Sequence, residues 1–233
     1  MPDDRLLRIL EQLRAGEGRP DAARLCEVCA DVVSMSGAGV MLMSNDAPRG
    51  SICSSNDVST VIEDLQYTLG EGPCIDAYNT EQPVIEPNLA DPEVSRWVAF
   101  SAPALEAGAR AVFGFPMRVG AVRIGALNFY RDRPGELTDE QHSNALLLAE
   151  VAARAVLDMQ SNASPGAYAA ELEAGSDFRL VVHQASGMVS VQLGVSVAEA
   201  LIRLRAYAFA QERPLTQVAE DIVARRLRLD EGA

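Results

Sequence analysis

The run Ala111-Val-Phe-Gly-Phe-Pro-Met-Arg-Val119, the pair Gly120-Ala121 and the run Val122-Arg-Ile-Gly-Ala-Leu-Asn-Phe-Tyr130 decide the fold of the first half of the chain. Phe113, Phe115, Met117 and Val119 alternate along one face of the first run, as the two-residue period of a strand requires. Two residues join it to the second run, so 111–119 and 122–130 read as a β-hairpin. Downstream, Thr138-Asp-Glu-Gln141 is a capping box that opens a long helix to Gln160, with Leu146, Ala149, Ala153 and Val156 along one stripe. Upstream, Asp21 caps a helix over 22–35. Strands over 37–43 and 51–55 follow, joined through the turn Pro48-Arg-Gly50. A helix over 58–68 ends at Leu69-Gly-Glu-Gly-Pro-Cys74. A short strand at 83–86 and a helix over 92–106 containing Trp97 complete the set. Strands flanked by helices on this plan predict an α/β sandwich with a central antiparallel sheet.

Working outward again, Ser161-Asn-Ala-Ser-Pro-Gly166 is rich in turn formers and marks a domain junction. Helical spacing resumes at Ala167, with Val182, Ala185, Val189 and Leu193 on one face before Gly194. Ser196-Val-Ala-Glu199 is a second capping box, opening a helix to Gln211 whose inner side carries Leu201, Leu204 and Ala208. A third helix starts at Pro214 or Thr216, with Leu215, Val218, Ala219, Ile222 and Val223 at helical spacing. The tail is therefore an all-α three-helix unit. At the other end, Leu6, Ile9, Leu10 and Leu13 make residues 5–14 an amphipathic helix, broken by Gly16 to Pro20. The expected organisation is an N-terminal helix and linker over 1–20, a sandwich domain over 21–160, a linker and helical extension over 161–178, and a helical domain over 179–233.

The 233 residues carry a formal charge of −13, with 48% apolar content. Residues 1–178 hold 13 arginines against 27 acids, whereas residues 179–233 hold 7 against 6. The body repels nucleic acid and anionic membranes, while the tail tolerates a polyanion without attracting one by charge alone. All basic residues are arginines, read first as the codon bias of a GC-rich genome and second as a means of bidentate phosphate contact. The acidic start, Met1-Pro-Asp-Asp4, lacks the order of a signal peptide. The run from Ala145 to Leu157 is interrupted by Glu150 and Arg154, short of the roughly 20 apolar residues of a membrane span. A soluble cytoplasmic protein without membrane attachment is expected. Four cysteines, Cys26, Cys29, Cys53 and Cys74, are too few and too irregular for a secreted disulfide framework. Cys26 and Cys29 have C-x-x-C spacing, but lie in a helical apolar run with no second ligand pair, and read as buried structural thiols.

Two sets of residues carry a resemblance. The order of elements, the loop Leu69-Gly-Glu-Gly-Pro-Cys74, the hairpin end Ile124-Gly-Ala-Leu-Asn-Phe-Tyr130 and the helix start after Leu137 resemble a GAF domain, a sensory module that can enclose a small ligand. The tail, through His183-Gln-Ala-Ser-Gly-Met188, Ala198-Glu-Ala-Leu201, Leu204-Arg-Ala-Tyr207 and Leu215-Thr-Gln-Val-Ala219, resembles an ANTAR domain, the whole looking like an actinobacterial-type GAF and ANTAR regulator. That resemblance implies a homodimer that captures RNA bearing paired hexanucleotide-loop hairpins, so that the transcript cannot refold into a terminator. The family motif Gln-Ala-Lys-Gly reads Gln184-Ala-Ser-Gly187 here, with Ser186 in place of a phosphate-binding lysine.

Single-stranded loops are read by hydrogen bonds to splayed bases, by stacking and by cations on phosphate. The RNA-binding candidates are Gln184, Ser186, Gly187, Arg205, Tyr207, Arg213, Thr216 and Gln217. Helix packing competes for Gly187, a solvated helix face for the arginines, a core-rim position for Tyr207, and simple capping for Thr216 and Gln217. In the sensor half Tyr67, Cys74, Trp97, Phe113, Phe115 and Asn128 are candidates to line an apolar pocket with a few polar groups, with core filling as the competing reading of each aromatic. His183 and His142 lack metal-ligand neighbours, the loop 69–74 lacks the spacing and Lys-Ser/Thr of a P-loop, and no catalytic, metal or cofactor constellation is present. The expectation is a non-enzymatic regulator. Rival readings are a thiol-based redox sensor or enzyme using Cys53 and Cys74 on the same scaffold, and a DNA-binding helical regulator or a pure dimerisation bundle.

Overall fold

A computed structural model describes residues 22–44, 47–91, 96–162, 177–211 and 213–229. The helix expected over 5–14 and most of the junction after Asn162 lie outside the described residues. The chain divides into two compact units, one ending at Pro165 and the other beginning at Gly166.

In the first unit a helix α1 (Ala22–Val33) leads into strands β1 (Gly37–Ser44) and β2 (Ala47–Ser54). Helices α2 (Asp57–Leu69) and α3 (Pro73–Thr80), strand β3 (Val84–Glu86) and helix α4 (Ser101–Ala107) follow. The hairpin β4 (Ala111–Val119) and β5 (Val122–Arg131) precedes the long helix α5 (Asp139–Asn162). The five strands lie in the order β2-β1-β5-β4-β3, every neighbouring pair antiparallel. Helices α1 and α5 pack together on one face, while α2 and α3 pack on the other and α4 packs on α2. Both faces of the central strands are therefore dry, which is why β5 is buried continuously from Ile124 rather than at alternate positions.

The hairpin and the antiparallel sheet follow the sequence reading, and so does the capping box before α5. Gln141 N donates to Thr138 Oγ1 at 3.2 Å and Thr138 N to Gln141 Oε1 at 3.1 Å. The same Gln141 amide donates to the Val33 carbonyl at the end of α1 and accepts from Arg131 Nη2 at the end of β5. One side chain thus joins three elements.

Four expectations are corrected. Of the helix placed over 92–106, residues 92–95 lie outside the described residues, 96–100 are irregular or turn, and the helix runs over Ser101–Ala107. Pro103 has no N–H and is tolerated only in the first turn, so it fixes the start close to itself. The turn expected at Pro48 to Gly50 is part of β2, an edge strand where a proline costs no ladder bond. Pro73 and Cys74, placed at the end of the loop 69–74, instead open a helix over Pro73–Thr80 that starts on its proline. On α5 the buried stripe is Ala145, Leu148, Ala149, Ala152, Ala153 and Val156, and Leu146 is exposed.

The cysteines also differ from the expectation of four thiols. Cys26 on α1 is disulfide-bonded to Cys53 on β2, with 5.9 Å between their Cα atoms, and Cys29 and Cys74 are free and buried. The C-x-x-C spacing therefore describes no pair. Cys26 and Cys29 sit almost a turn apart on one helix, and it is the facing strand that brings a sulfur to Cys26.

The second unit consists of α6 (Asp177–Leu193), α7 (Val197–Ala210) and α8 (Leu215–Val223), each packed on the other two. Val182, Ala185, Val189, Leu201, Leu204, Ala208, Leu215, Val218, Ala219 and Ile222 form its core. Ser196 caps α7 by accepting from Glu199 N at 3.2 Å. The reciprocal half of the expected box is absent, because Glu199 pairs with Arg203 one turn on. No single helix among the described residues is long and apolar enough to cross a membrane.

Candidate functional site

In the sandwich, register places Gly39, Asn128 and Gly114 side by side across β1, β5 and β4. Residues directly opposite one another share a face, so these three form a row with little bulk and one amide. A Cβ on Gly39 would lie 2.5 Å from Glu63 Oε1, and one on Gly114 would lie 2.3 Å from the Pro73 carbonyl oxygen. Glycine at both positions lets α2 and the start of α3 settle directly on the strands.

Helix α2 is set by Asn56, whose Oδ1 accepts from Ser59 N at 2.9 Å while its own N–H donates to Ser59 Oγ at 2.9 Å. Glu63 and Gln66 then stand three residues apart on its inner side, both fully buried. Asn128 Nδ2 donates to Glu63 Oε1 at 3.1 Å, and Cys74 N donates to Gln66 Oε1 at 2.7 Å. Gln66 Nε2 and Asn128 Oδ1 are buried without a hydrogen-bond partner, one a donor and the other an acceptor. An unmet buried polar atom costs about 1 to 3 kcal/mol, so such atoms ask for a reason. Burial, followed by the Glu63 carboxylate, pushes the Cys74 thiol well above its usual range. Burial alone pushes Cys29 up to about 12. Neither thiol is poised as a thiolate, and Cys53 is held in the disulfide, so the pair Cys53 and Cys74 is not a matched redox couple.

The six sensor candidates do not converge. Asn128 and Cys74 belong to the cluster beneath α2 and α3. Tyr67 is buried on α2, and Trp97 donates from Nε1 to Asp76 on α3 at 3.0 Å while packing edge-on against Phe100. Phe113 and Phe115 flank Gly114 and so point to the opposite face, where the Arg131 guanidinium lies over Phe113 and His142 of α5 meets Phe115 edge-on. Strand alternation places the sheet itself between them and Asn128. Glu63 and Gln66 escaped the sequence reading. Two polar residues three apart on the apolar side of an otherwise amphipathic helix were the available signal.

In the helical unit Gln184 and Gln217 are exposed, and Arg205, Tyr207 and Thr216 half-buried. Ser186 is 1% exposed, and its hydroxyl donates to the Val182 carbonyl one turn back at 2.7 Å. It is a core residue, placed there because Ala185 and Val189 turn the same side of α6 inward. A Cβ built on Gly187 meets nothing within 4 Å, so packing inside the chain does not require that glycine. Thr216 and Gln217 do not cap α8, whose N-cap is Pro214 without a side-chain bond. Arg213 donates to Asp221 Oδ2 at 2.5 Å, and Arg226 to Asp221 Oδ1 at 2.8 Å. These two hydrogen bonds hold the Asp221 carboxyl below its usual range. The outer side of α7 exposes Ile202 and Phe209, at 62% and 67%, which the sequence reading passed over.

The GAF domain family matches residues 22–157, more than half of the chain, and the ANTAR domain family matches residues 170–223. The chain is a GAF-domain protein with a C-terminal ANTAR domain. No curated protein matches it. Among solved structures, the GAF domain of an Acinetobacter phosphoenolpyruvate-protein phosphotransferase is 16% identical, with a TM-score of 0.52, covering 68% of this chain and 94% of that one. The GAF domain of the corresponding Coxiella burnetii protein is 11% identical, with a TM-score of 0.50 and the same coverage. Free methionine-R-sulfoxide reductase from Neisseria meningitidis, solved with its substrate, is 14% identical with a TM-score of 0.49, covering 69% and 91%. At these identities the two phosphotransferase domains speak to the GAF fold of the first unit and to nothing further. GAF and ANTAR domains on one chain make a signal-responsive regulator.

Proposed function

We propose that this regulator works as a non-catalytic cytoplasmic homodimer. Its GAF domain receives a small-molecule or protein signal, and its paired ANTAR domains hold two hexanucleotide-loop hairpins of a nascent mRNA so that the terminator does not form. The observation that carries this reading is the joining of a GAF domain over 22–157 to an ANTAR domain over 170–223. In the sensor half, the buried Gln66 Nε2 donor and Asn128 Oδ1 acceptor offer a matched pair to a small polar ligand. In the ANTAR half, the exposed Gln184 and Gln217 amides, the Tyr207 ring and the Arg205 guanidinium supply the chemistry that reads unstacked bases and phosphates. Arg213 joins them only by sharing itself with Asp221.

Regulation follows if the ligand binds one arrangement of the GAF helices more tightly than another, since a ligand shifts an equilibrium only by its differential affinity. The decisive experiment measures binding of the full chain to an RNA carrying two hairpins with six-base loops, to the same RNA with one loop scrambled, and to duplex DNA of equal length, all at one salt concentration. Preference for the intact two-hairpin RNA is expected. Equal affinity for all three would sink the RNA reading.

A further inference from the structure

The ANTAR match stops at Val223, but the ordered chain does not. Beyond α8, Arg225 takes the left-handed conformation with φ 59°, a region that a side chain with a Cβ rarely adopts. Helix ends of this kind normally place glycine there. The turn is nevertheless tied down. Arg225 N donates to the Ile222 carbonyl at 2.9 Å, and the N–H groups of Arg226 and Leu227 both donate to the Asp221 carbonyl, at 2.7 and 3.1 Å. Leu229, 3% exposed, anchors its far end. What the turn presents is cationic: Arg225 and Arg228 are exposed and belong to no ion pair among the described residues, and the Arg226 side chain is 63% exposed while its guanidinium meets Asp221. Residues 213–229 hold four arginines against Glu220 and Asp221, with Glu212 before them and Asp230 and Glu231 after them in the sequence.

We infer that residues 224–229 form an arginine-bearing turn, outside the ANTAR domain proper, that grips the phosphate backbone of the RNA held by this unit. The inference rests on the RNA reading above. Guanidinium forks match phosphate oxygens two at a time. Asp221 engages one edge each of Arg213 and Arg226, which fixes both groups about a single carboxylate and leaves their remaining N–H donors to a ligand. Residues 1–178 hold 27 acids against 13 arginines, so a polyanion is repelled less by this unit than by the rest of the chain, and within it the close-set Arg225, Arg226 and Arg228 concentrate the positive charge. The bland alternative is that these cations only offset the negative end of α8. In that case RNA affinity would not depend on them.

The test uses the full chain and the two-hairpin RNA, with affinity measured between 50 and 200 mM salt. The variant Arg225→Gln/Arg226→Gln/Arg228→Gln is compared with Arg118→Gln/Arg133→Gln/Arg154→Gln, which removes the same charge from exposed positions of the GAF domain. Far-ultraviolet circular dichroism establishes that both remain folded, and if the tail triple does not fold, Arg228→Gln alone takes its place. Three lost phosphate contacts should flatten the slope of log affinity against log salt by about 2, or about 0.7 for the single change, and weaken binding at least about tenfold for the triple at low salt. The GAF-domain triple should leave the slope as it is. Equal slopes for the tail variant and the unsubstituted protein would overturn the inference and leave the RNA reading standing, as would equal losses in both triples. If the unsubstituted protein ignores the RNA, both readings fall.

Discussion

The two domains treat their polar groups in opposite ways. The GAF domain buries a carboxylate and two amides beneath α2 and α3, whereas the ANTAR domain exposes Gln184, Gln217 and the three arginines that follow α8 and leaves Ile202 and Phe209 bare. An interior of the first kind is suited to something small enough to enter it, because only a group inside can meet Gln66 Nε2 and Asn128 Oδ1. A surface of the second kind suits a large partner. The contrast teaches that the two halves of a sensor-effector chain differ in where most of their polar side chains lie, although Gln192 Oε1 of the ANTAR domain is also buried without a hydrogen bond.

The sharpest way to break this contrast is to fill the row across the sheet. Gly114→Ala would set a methyl 2.3 Å from a backbone oxygen that cannot swing away, and overpacking of that kind costs about 3 kcal/mol. Urea denaturation should show that loss, and an unchanged midpoint would mean that α3 does not rest on the strands as described. Asn128→Leu comes next. It removes the donor to Glu63 Oε1 and should cost about 2 kcal/mol in the same assay, with a neutral result arguing that the amide is not needed where it lies. The smallest effect has the opposite sign. Gly187→Ala meets open space and should stabilise the protein by up to about 1 kcal/mol through helix propensity alone. A thermal scan that instead shows destabilisation would reveal a contact, in a dimer for instance, that the single chain does not contain.

Much of this was legible in the sequence because local rules carried it. Alternation and a two-residue connection gave the hairpin, the Thr138 to Gln141 box gave the start of α5, and helical spacing gave the three ANTAR helices. What was not legible depended on registration between distant segments. That Gly39, Asn128 and Gly114 stand abreast requires knowing that β5 lies between β1 and β4. For the same reason Phe113 and Phe115 were grouped with Asn128, when the plane of the sheet divides them. Cys26 found Cys53 across 27 residues rather than Cys29 across three, since a disulfide is chosen by distance in space. Ser186 looked available because a short polar residue within a helix says nothing of its direction. Its hydroxyl is spent on the preceding turn.

The position of Gln141 has a mechanical consequence. Because a single amide ties the start of α5 to the last carbonyl of α1 and to the end of β5, that end of the helix is a fixed pivot. From there the 24 residues of α5 extend about 36 Å. The buried stripe from Ala145 to Val156 then seats the helix against the rest of the domain for about half of that length, so a shift at the tied end cannot be absorbed locally without disturbing this stripe, and only the six residues past Val156 extend beyond it.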